Sequence, residues 1–181
     1  MARPRSTDTR DRIQAAAMEL FLERGVQRTS LQDIAGRLGI TKPALYYHFD
    51  SREALVRSLV QPLVDEFEAF LAEREAGDPL PKRELIGVYF DLTFRNRHIS
   101  QFILRDLSTL HLVRDKFEGW RTRMMLLLMG PTPTVEERVA AIVAIGGMAD
   151  TTVMFPDLPA DDLRAAAVKA ACATLGLPPD R

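Results

Sequence analysis

The sequence predicts an all-α protein, with a small amino-terminal head of three helices followed by a helical bundle, about nine helices in total. Apolar residues recur at intervals of three and four along nearly the whole chain, and segments that alternate apolar and polar residues are absent. Glycine and proline separate these segments, and β-branched residues are not clustered as strands require. All three observations favour helices.

The first two predicted helices have clear ends. The first covers about 7–24 and stops at Gly25, which can adopt the left-handed conformation that ends helices. Its apolar stripe consists of Ile13, Ala16, Ala17, Leu20 and Phe21. The second begins at Ser30, which resembles the start of a capping box with Asp33, and it ends at Gly39.

Capping residues also predict where the next two helices begin. Thr41 can cap a short third helix, and Pro43 fits into its first turn, where a missing N–H costs little. Asp50 or Ser51 can cap a long fourth helix that runs to about Glu75.

Five more helices follow in the rest of the chain. Thr134 and Glu137 form a capping box, and Asp161 or Asp162 is expected to open the last helix. Breaks rich in glycine and proline separate the segments. The predicted ranges are about 82–95, 99–107, 112–129, 134–154 and 161–176.

Composition narrows the class of protein. The single cysteine, Cys172, excludes a disulfide within the chain, and the first ten residues are polar and basic, unlike a signal peptide. No apolar run is long enough to span a bilayer, so a cytoplasmic protein without membrane association is expected. Residues 1–57 hold ten Lys and Arg against seven Asp and Glu, whereas the remainder holds fourteen against eighteen. This asymmetry is expected if only the head meets phosphates.

Two short helices joined by a tight turn at 38–41 carry the functional signal. The second of them is about two turns long, and Leu45 and Phe49 can anchor one of its faces in the core. Its other face carries Tyr, His and Lys side chains. A helix of this size fits the major groove of DNA, where its amino-terminal residues meet base edges.

The detail of this segment closely resembles the signature of TetR-family transcriptional regulators. The resembling residues in the segment are Ile34, Ala35, Gly39, Thr41, the run Leu45 to Phe49, and the run Arg52 to Leu55. The preceding helix matches as well, through Ala15, Ala16, Leu20, Phe21, Gly25 and Thr29. The resemblance covers about 10–59, and beyond it only the order and lengths of the helices correspond.

The resemblance implies a DNA-binding domain at 1–50 and a ligand-binding and dimerisation domain at 51–181. Lys42 would donate to guanine, Pro43 and Ala44 would meet a thymine methyl group, and Tyr47 and Arg52 would reach the phosphate backbone. The flexible arm at 2–5 would either enter a minor groove or remain unbound. The implied DNA-binding residues are Ser30, Gln32, Thr41, Lys42, Pro43, Ala44, Tyr46, Tyr47, His48 and Arg52.

Two heads related by a dyad can read a palindromic operator in double-stranded DNA, so a homodimer is expected. The last two predicted helices are rich in alanine and glycine, which lets helices approach closely. We expect them to form a four-helix dimer interface, although the same small faces could pack only within one subunit.

In the resembled family, the helical bundle that follows the head encloses a small-molecule site, and this chain has many Phe, Met and Trp residues in its own predicted bundle. The alternative for each residue is an ordinary core position. The candidate ligand-binding residues are Phe67, Phe90, Phe94, Phe102, Trp120, Met124, Met148 and Thr152.

The expected function is a dimeric repressor released by a small, largely apolar effector; the alternative is a ligand-independent regulator with a filled core. An enzyme is not expected, because three histidines and one cysteine form no clear catalytic constellation. No cofactor is expected. A metal site from His98, His111, Asp106 and Asp115 is not expected either, because their spacing matches no recognised pattern.

Overall fold

The computed structural model describes residues 6–105 and 107–178, which form nine helices and no strand. The helices are α1 (Ser6–Arg24), α2 (Leu31–Leu38), α3 (Lys42–His48), α4 (Arg52–Ala76), α5 (Lys82–Arg95), α6 (Arg97–Arg105), α7 (Leu107–Met129), α8 (Val135–Met154) and α9 (Ala160–Thr174). The predicted all-α fold class is therefore confirmed. Among the described residues, no helix is both long enough and apolar enough to cross a membrane.

The described chain divides into two compact units. The first takes in the chain up to Leu63 together with Gln101–Val113, and the second takes in Val64–Ser100 and the chain from Arg114 onward. α4, α6 and α7 each contribute residues to both units. The predicted functional division after residue 50 concerns DNA and ligand binding, and it stays a prediction.

Local capping sets the helix ends in the first unit. The Ser30 hydroxyl accepts a hydrogen bond from the backbone N–H of Asp33 (3.1 Å), whose carboxylate accepts one from the backbone N–H of Ser30 (2.8 Å). This is the predicted capping box. Thr41 caps α3 by accepting from the backbone N–H of Ala44. Gly39 ends α2 with a φ of +65°, which glycine adopts without a clash from a Cβ atom.

The helices of the first unit bury one apolar face each. The side chains of this core with no exposed surface include Ile13, Ala17, Ile34, Ala35, Leu45 and Leu55. Phe102 of α6 belongs to the same unit, and its ring stacks on that of Phe21 with 5.8 Å between the centroids. α2 and α3 are thus anchored on one side, and their opposite sides remain open to solvent.

In the second unit, α5, α8 and α9 pack against one another. Arg164 of α9 makes a two-point ion pair with Asp91 of α5, at 2.7 and 3.1 Å. Gly87 leaves room for this arginine, because a Cβ atom at that position would lie 2.7 Å from the guanidinium group. The buried core of this unit includes Ile86, Phe90, Leu92, Met124, Leu128, Ile145 and Met148.

Two helices begin slightly earlier than predicted. α6 begins at Arg97 rather than near Ile99, because the backbone carbonyl of Asn96 already accepts from the N–H groups of the first turn, including that of Ile99 (3.1 Å). α9 begins directly after Pro159 rather than at Asp161 or Asp162, which lie inside its first turn. Proline is compatible with the start of a helix because its φ is preset and because an N–H at that position would have no partner inside the helix.

α7 differs more from its prediction. It begins at Leu107 instead of near Leu112, and the buried side chains of Thr109 and Val113 form a helical pair four residues apart. The sequence reading also left one interruption unnoticed. α4 continues through Pro62, although proline inside a helix removes a hydrogen bond.

Candidate nucleic-acid interface

α3 is the element best placed to contact another molecule, since it has one anchored side and one open side. Leu45 and Phe49 are 0% and 2% exposed, whereas Tyr46 and Tyr47 are 40% and 81% exposed. The remaining exposed residues on the open side are Thr41, Lys42, Pro43 and Ala44, and His48 is partly exposed. The predicted DNA-contacting residues of α3 therefore lie together on an accessible surface.

Arg10 of α1 fixes the carboxy-terminal end of α3. Its guanidinium group donates a hydrogen bond to the backbone carbonyl of His48 (3.1 Å) and lies over the ring of Phe49, 4.3 Å from its centroid. The last carbonyl groups of a helix lack partners within the helix, and a cation there is favourable. The sequence reading missed this role of Arg10, because no local pattern links residues so far apart.

A recess of about 370 Å³ opens beside α3, where the first turns of α2 and α4 come together. Its lining residues are Ser30, Leu31, Gln32, Lys42, Tyr46, Asp50, Ser51, Arg52 and Glu53. Helix amino termini offer backbone N–H groups and a partial positive charge, which favour phosphate oxygens. Five of the ten predicted DNA-binding residues meet here.

The charge in this recess is mixed. Lys42 and Arg52 bring positive charge, while Asp50 and Glu53 bring negative charge to the same lining. The nearby Asp33 is held ionised, because hydrogen bonds from the Ser30 hydroxyl and backbone lower its pKa. The recess is thus less basic than its two cations suggest.

Arg52 is turned toward the protein itself. Its Nη1 atom donates to the backbone carbonyls of Val26 (3.2 Å) and Gln27 (3.3 Å), and its Nη2 atom donates to the Gln27 side-chain oxygen (3.2 Å). Nη2 also lies 3.8 Å from the Glu53 carboxylate. A direct phosphate contact of Arg52, which the resemblance implies, would have to compete with these partners.

Seven of the eight candidate ligand-binding residues lie in the second unit, and Phe102 lies in the first. The Phe67 ring stacks on Trp120 at 4.6 Å and meets Tyr89 edge-on at 6.3 Å. The polar groups are already occupied: the Thr152 hydroxyl donates to the carbonyl of Ala149 (2.7 Å). Phe94 is partly exposed, and the other seven candidates are buried.

A charged network missed by the sequence reading connects α4 and α7 in the second unit. Glu68 accepts hydrogen bonds from Trp120 Nε1 (3.0 Å), Lys116 Nζ (3.2 Å) and Arg123 Nη1 (2.6 Å). Arg123 also makes a two-point pair with Glu75, at 2.7 and 2.8 Å. The Trp120 and Arg123 hydrogen bonds lower the pKa of Glu68 to about 2. The acids are seven residues apart, as are the cations, a spacing that could have revealed this network.

α8 presents an apolar stripe to solvent. A groove of about 530 Å³ between α7 and α8 is lined by Thr122, Met125, Val135, Arg138, Val139, Ile142 and Val143. Val135 and Val139 are 69% and 58% exposed, and Ile142 follows on the same side. On α9, several alanines are exposed as well. These surfaces lie on the two helices predicted to form the dimer interface.

Other candidates from the sequence have simpler positions. His98 and His111 are exposed, and the described residues contain no group of three His, Cys, Asp or Glu arranged to hold a metal ion. Asp106 and the arm at 2–5 lie outside the described residues.

Comparison with known proteins relates this architecture to one family. Residues 13–59 match the family described as bacterial regulatory proteins, tetR family. The chain is 33% identical over 103 residues to a probable HTH-type transcriptional regulator, ArpR, from Pseudomonas putida, covering 53% of this chain and 49% of that protein. It is 32% identical over the same length to the HTH-type transcriptional regulator TtgR, also from Pseudomonas putida. The chain spans about half the length of these curated relatives.

Solved structures share the fold over nearly the whole chain. A transcriptional regulator from Aquifex aeolicus has a TM-score of 0.72 at 20% identity, covering 90% of this chain and 96% of that one. The ketosteroid transcriptional regulator KstR2 of Mycobacterium tuberculosis has a TM-score of 0.68 at 18% identity, covering 95% of each chain. At these identities the likeness supports the fold alone.

Proposed function

Since residues 13–59 of this chain match the family described as bacterial regulatory proteins, tetR family, we propose that the protein is a sequence-specific DNA-binding transcriptional regulator. The observation that carries the proposal is the two-sided packing of α3. Leu45 and Phe49 hold it in the core, and its opposite side is bare along its length. A short helix presented in this way fits the major groove. Such a regulator would work in the cytoplasm, where bacterial DNA lies.

Different residues on the open side of α3 would contact different parts of the DNA. Lys42 would donate to guanine O6 and N7, and the apolar surfaces of Pro43 and Ala44 would meet thymine methyl groups. Tyr47, which is 81% exposed, would reach the sugar-phosphate backbone. With a single long basic side chain on this helix, part of the sequence preference would come from DNA shape.

The test is selection of a palindromic duplex from random sequence, followed by affinity measurements on that duplex and on a scrambled one at physiological salt. We expect the wild-type protein to prefer the selected duplex by on the order of a thousandfold. Lys42→Ala should reduce this preference, whereas Lys82→Ala, which removes an exposed lysine at the start of α5, should not. Equal affinity for the two duplexes in the wild-type protein would refute sequence-specific binding.

We further propose that the protein is a homodimer joined through α8 and α9. The exposed apolar stripe on α8 supports this, because a row of exposed valines and isoleucine on one helix side is typical of an interface. Ala141 and Ala144 face the core of their own unit, so only part of the small-residue content is available to a partner. A dyad would place two copies of α3 about 34–36 Å apart, one turn of DNA.

The finer proposal is a repressor released by a small, largely apolar effector bound in the second unit. Aromatic and methionine side chains support it, since they adapt to apolar ligands. α4 would transmit the signal because it contributes residues to both units. The effector can shift the balance between the DNA-binding arrangement and the released arrangement only by binding the two with different affinities.

The alternative, a ligand-independent dimeric regulator with a filled core, is favoured by one observation. Phe67 stacks on Trp120, and the Trp120 N–H already donates to Glu68, so these groups satisfy one another. A thermal-shift screen with apolar compounds, followed by DNA release assays on any hit, separates the two proposals. A compound that raises the Tm and releases DNA supports the effector; no shift across the panel supports the filled core.

A further inference from the structure

We propose that Arg52 is a positioning residue for the DNA-contacting face, which it serves by fixing the turn between α1 and α2, and that it is not a phosphate ligand. The inference rests on the proposed DNA-binding function. It is carried by the three hydrogen bonds through which Arg52 Nη1 and Nη2 hold the backbone carbonyls of Val26 and Gln27 and the Gln27 side chain.

The turn at 25–30 needs such a partner. It follows the end of α1, where the last backbone carbonyls find no N–H donor inside the helix, and Gly25 adopts a φ of +85° to leave the helix. Thr29 stabilises the turn from within, because its hydroxyl donates to the Gly25 carbonyl (3.0 Å) and its N–H donates to the Val26 carbonyl (3.3 Å). Arg52 supplies the donors that reach the turn from α4.

This turn determines where α2 begins. Ser30, the capping residue of α2, comes directly after Thr29, and both Ser30 and Gln32 line the recess beside α3. A turn that loosens would move the first turn of α2, and with it the recess-lining residues Ser30 and Gln32. Arg52 therefore acts on DNA binding through α2.

The chemistry of the side chain matches this role. A guanidinium group carries its N–H donors in a fixed planar fork, so one arginine can bind several carbonyl oxygens at once. A lysine ammonium group would keep the charge but not the fork. The Arg52 side chain is only 28% exposed, and the Glu53 carboxylate 3.8 Å away offsets its charge further. Lys42 is left as the principal cation of the recess.

The experiment compares Arg52→Lys, Arg52→Ala and Lys42→Ala in the full chain, with affinity for the selected duplex measured over a series of salt concentrations. If Arg52 positions the turn, both Arg52 variants should lose affinity on the order of tenfold, with an unchanged salt slope. Lys42→Ala, which removes a proposed guanine contact, should lower the affinity for the selected duplex more than that for the scrambled one, and a change of about 0.9 in the slope is the value for one phosphate contact. Full affinity in Arg52→Lys, or a slope lowered by about 0.9 in Arg52→Ala, would overturn the inference.

A second measurement needs no DNA. Hydrogen exchange of the Thr29 amide should accelerate in Arg52→Lys and Arg52→Ala, but not in Lys42→Ala or in the control Arg57→Ala, which removes an exposed arginine of α4. Unchanged exchange in the Arg52 variants also overturns the inference. If the wild-type protein binds no DNA, the proposed function fails, while the exchange result still decides whether Arg52 holds the turn.

Discussion

Pro62, inside α4, gives rise to a measurable coupling with α1. A residue at this position would ordinarily donate its N–H to the backbone carbonyl of Ser58, four residues earlier, and proline has no N–H to give. Gln14 of α1 provides the replacement: its Nε2 atom donates to the Ser58 carbonyl (3.2 Å) and to the Ser58 hydroxyl (2.9 Å). We predict that Gln14 and Pro62 are energetically coupled in the stability of the first unit.

The size of this coupling depends on whether the Ser58 carbonyl keeps a donor after Gln14→Leu, with Pro62 present or replaced by alanine. With Pro62 present, the partly buried Ser58 carbonyl loses its donor, which costs about 1–3 kcal/mol. With Pro62→Ala, the alanine N–H can donate to that carbonyl, and Gln14→Leu should then cost about 1 kcal/mol less. Pro62→Ala alone should stabilise by less than the roughly 3 kcal/mol typical of an interior proline, because Gln14 already replaces the bond.

The assay is urea unfolding of the four proteins of this double-mutant cycle, followed by far-ultraviolet circular dichroism. Circular dichroism is preferable to tryptophan fluorescence, because the single tryptophan lies in the second unit. Gln32→Leu, which alters an exposed glutamine of α2, is the matched control and should be additive with Pro62→Ala. If the cost of Gln14→Leu is the same in both backgrounds to within about 0.3–0.5 kcal/mol, the Ser58 carbonyl does not link the two residues.

Three further predictions concern other parts of the chain. The folded pKa of Glu68, about 2, lies below its ordinary value of 4.5, so the stability that Glu68 gives the protein should be complete above pH 4.5 and decline as the pH falls toward 2. In Glu68→Gln, the free energy of unfolding measured in urea should therefore fall less steeply on the acid side. An equally steep fall in this variant would show that the network is unimportant. Gly39→Ala should destabilise by about 1 kcal/mol and Gly36→Ala should stabilise by a similar amount in urea unfolding, since the former has a positive φ and the latter is helical; equal signs would contradict this reasoning. Val139→Asp should convert the proposed dimer to monomer in analytical ultracentrifugation, and an unchanged mass would exclude this part of α8 from the interface.

Features that depend on neighbours in sequence were predictable. The capping box of Ser30 and Asp33, the cap of α3 and the left-handed Gly39 follow from residues at most three positions apart. The start of α6 was misplaced by two residues, because the carbonyl of Asn96 that opens it carries no distinctive sequence signal. The two-sided character of α3 was also predictable, since the four-residue spacing of its buried anchors is a local pattern.

Contacts between distant parts of the chain could not be predicted. The distance from Gln14 to Ser58 is 44 residues along the sequence, and that from Gln27 to Arg52 is 25. Composition identifies these side chains as polar, but only the packing of α1 against α4 selects their partners. Phe102 illustrates the same point, because it was grouped with the bundle aromatics by residue type and instead stacks on Phe21.

Contacts between distant residues also change how the positive charge of the amino-terminal head should be interpreted. Arg10 is bound to the end of α3, Arg37 pairs with Glu19 at 3.2 Å, and Arg52 is bound to the turn before α2. Their charges stabilise helix ends and turns, so a count of basic residues overstates the cations that can release counterions from DNA. The salt dependence of binding should therefore follow the cations outside these contacts, and the three bound arginines should contribute through the shape of the surface they hold.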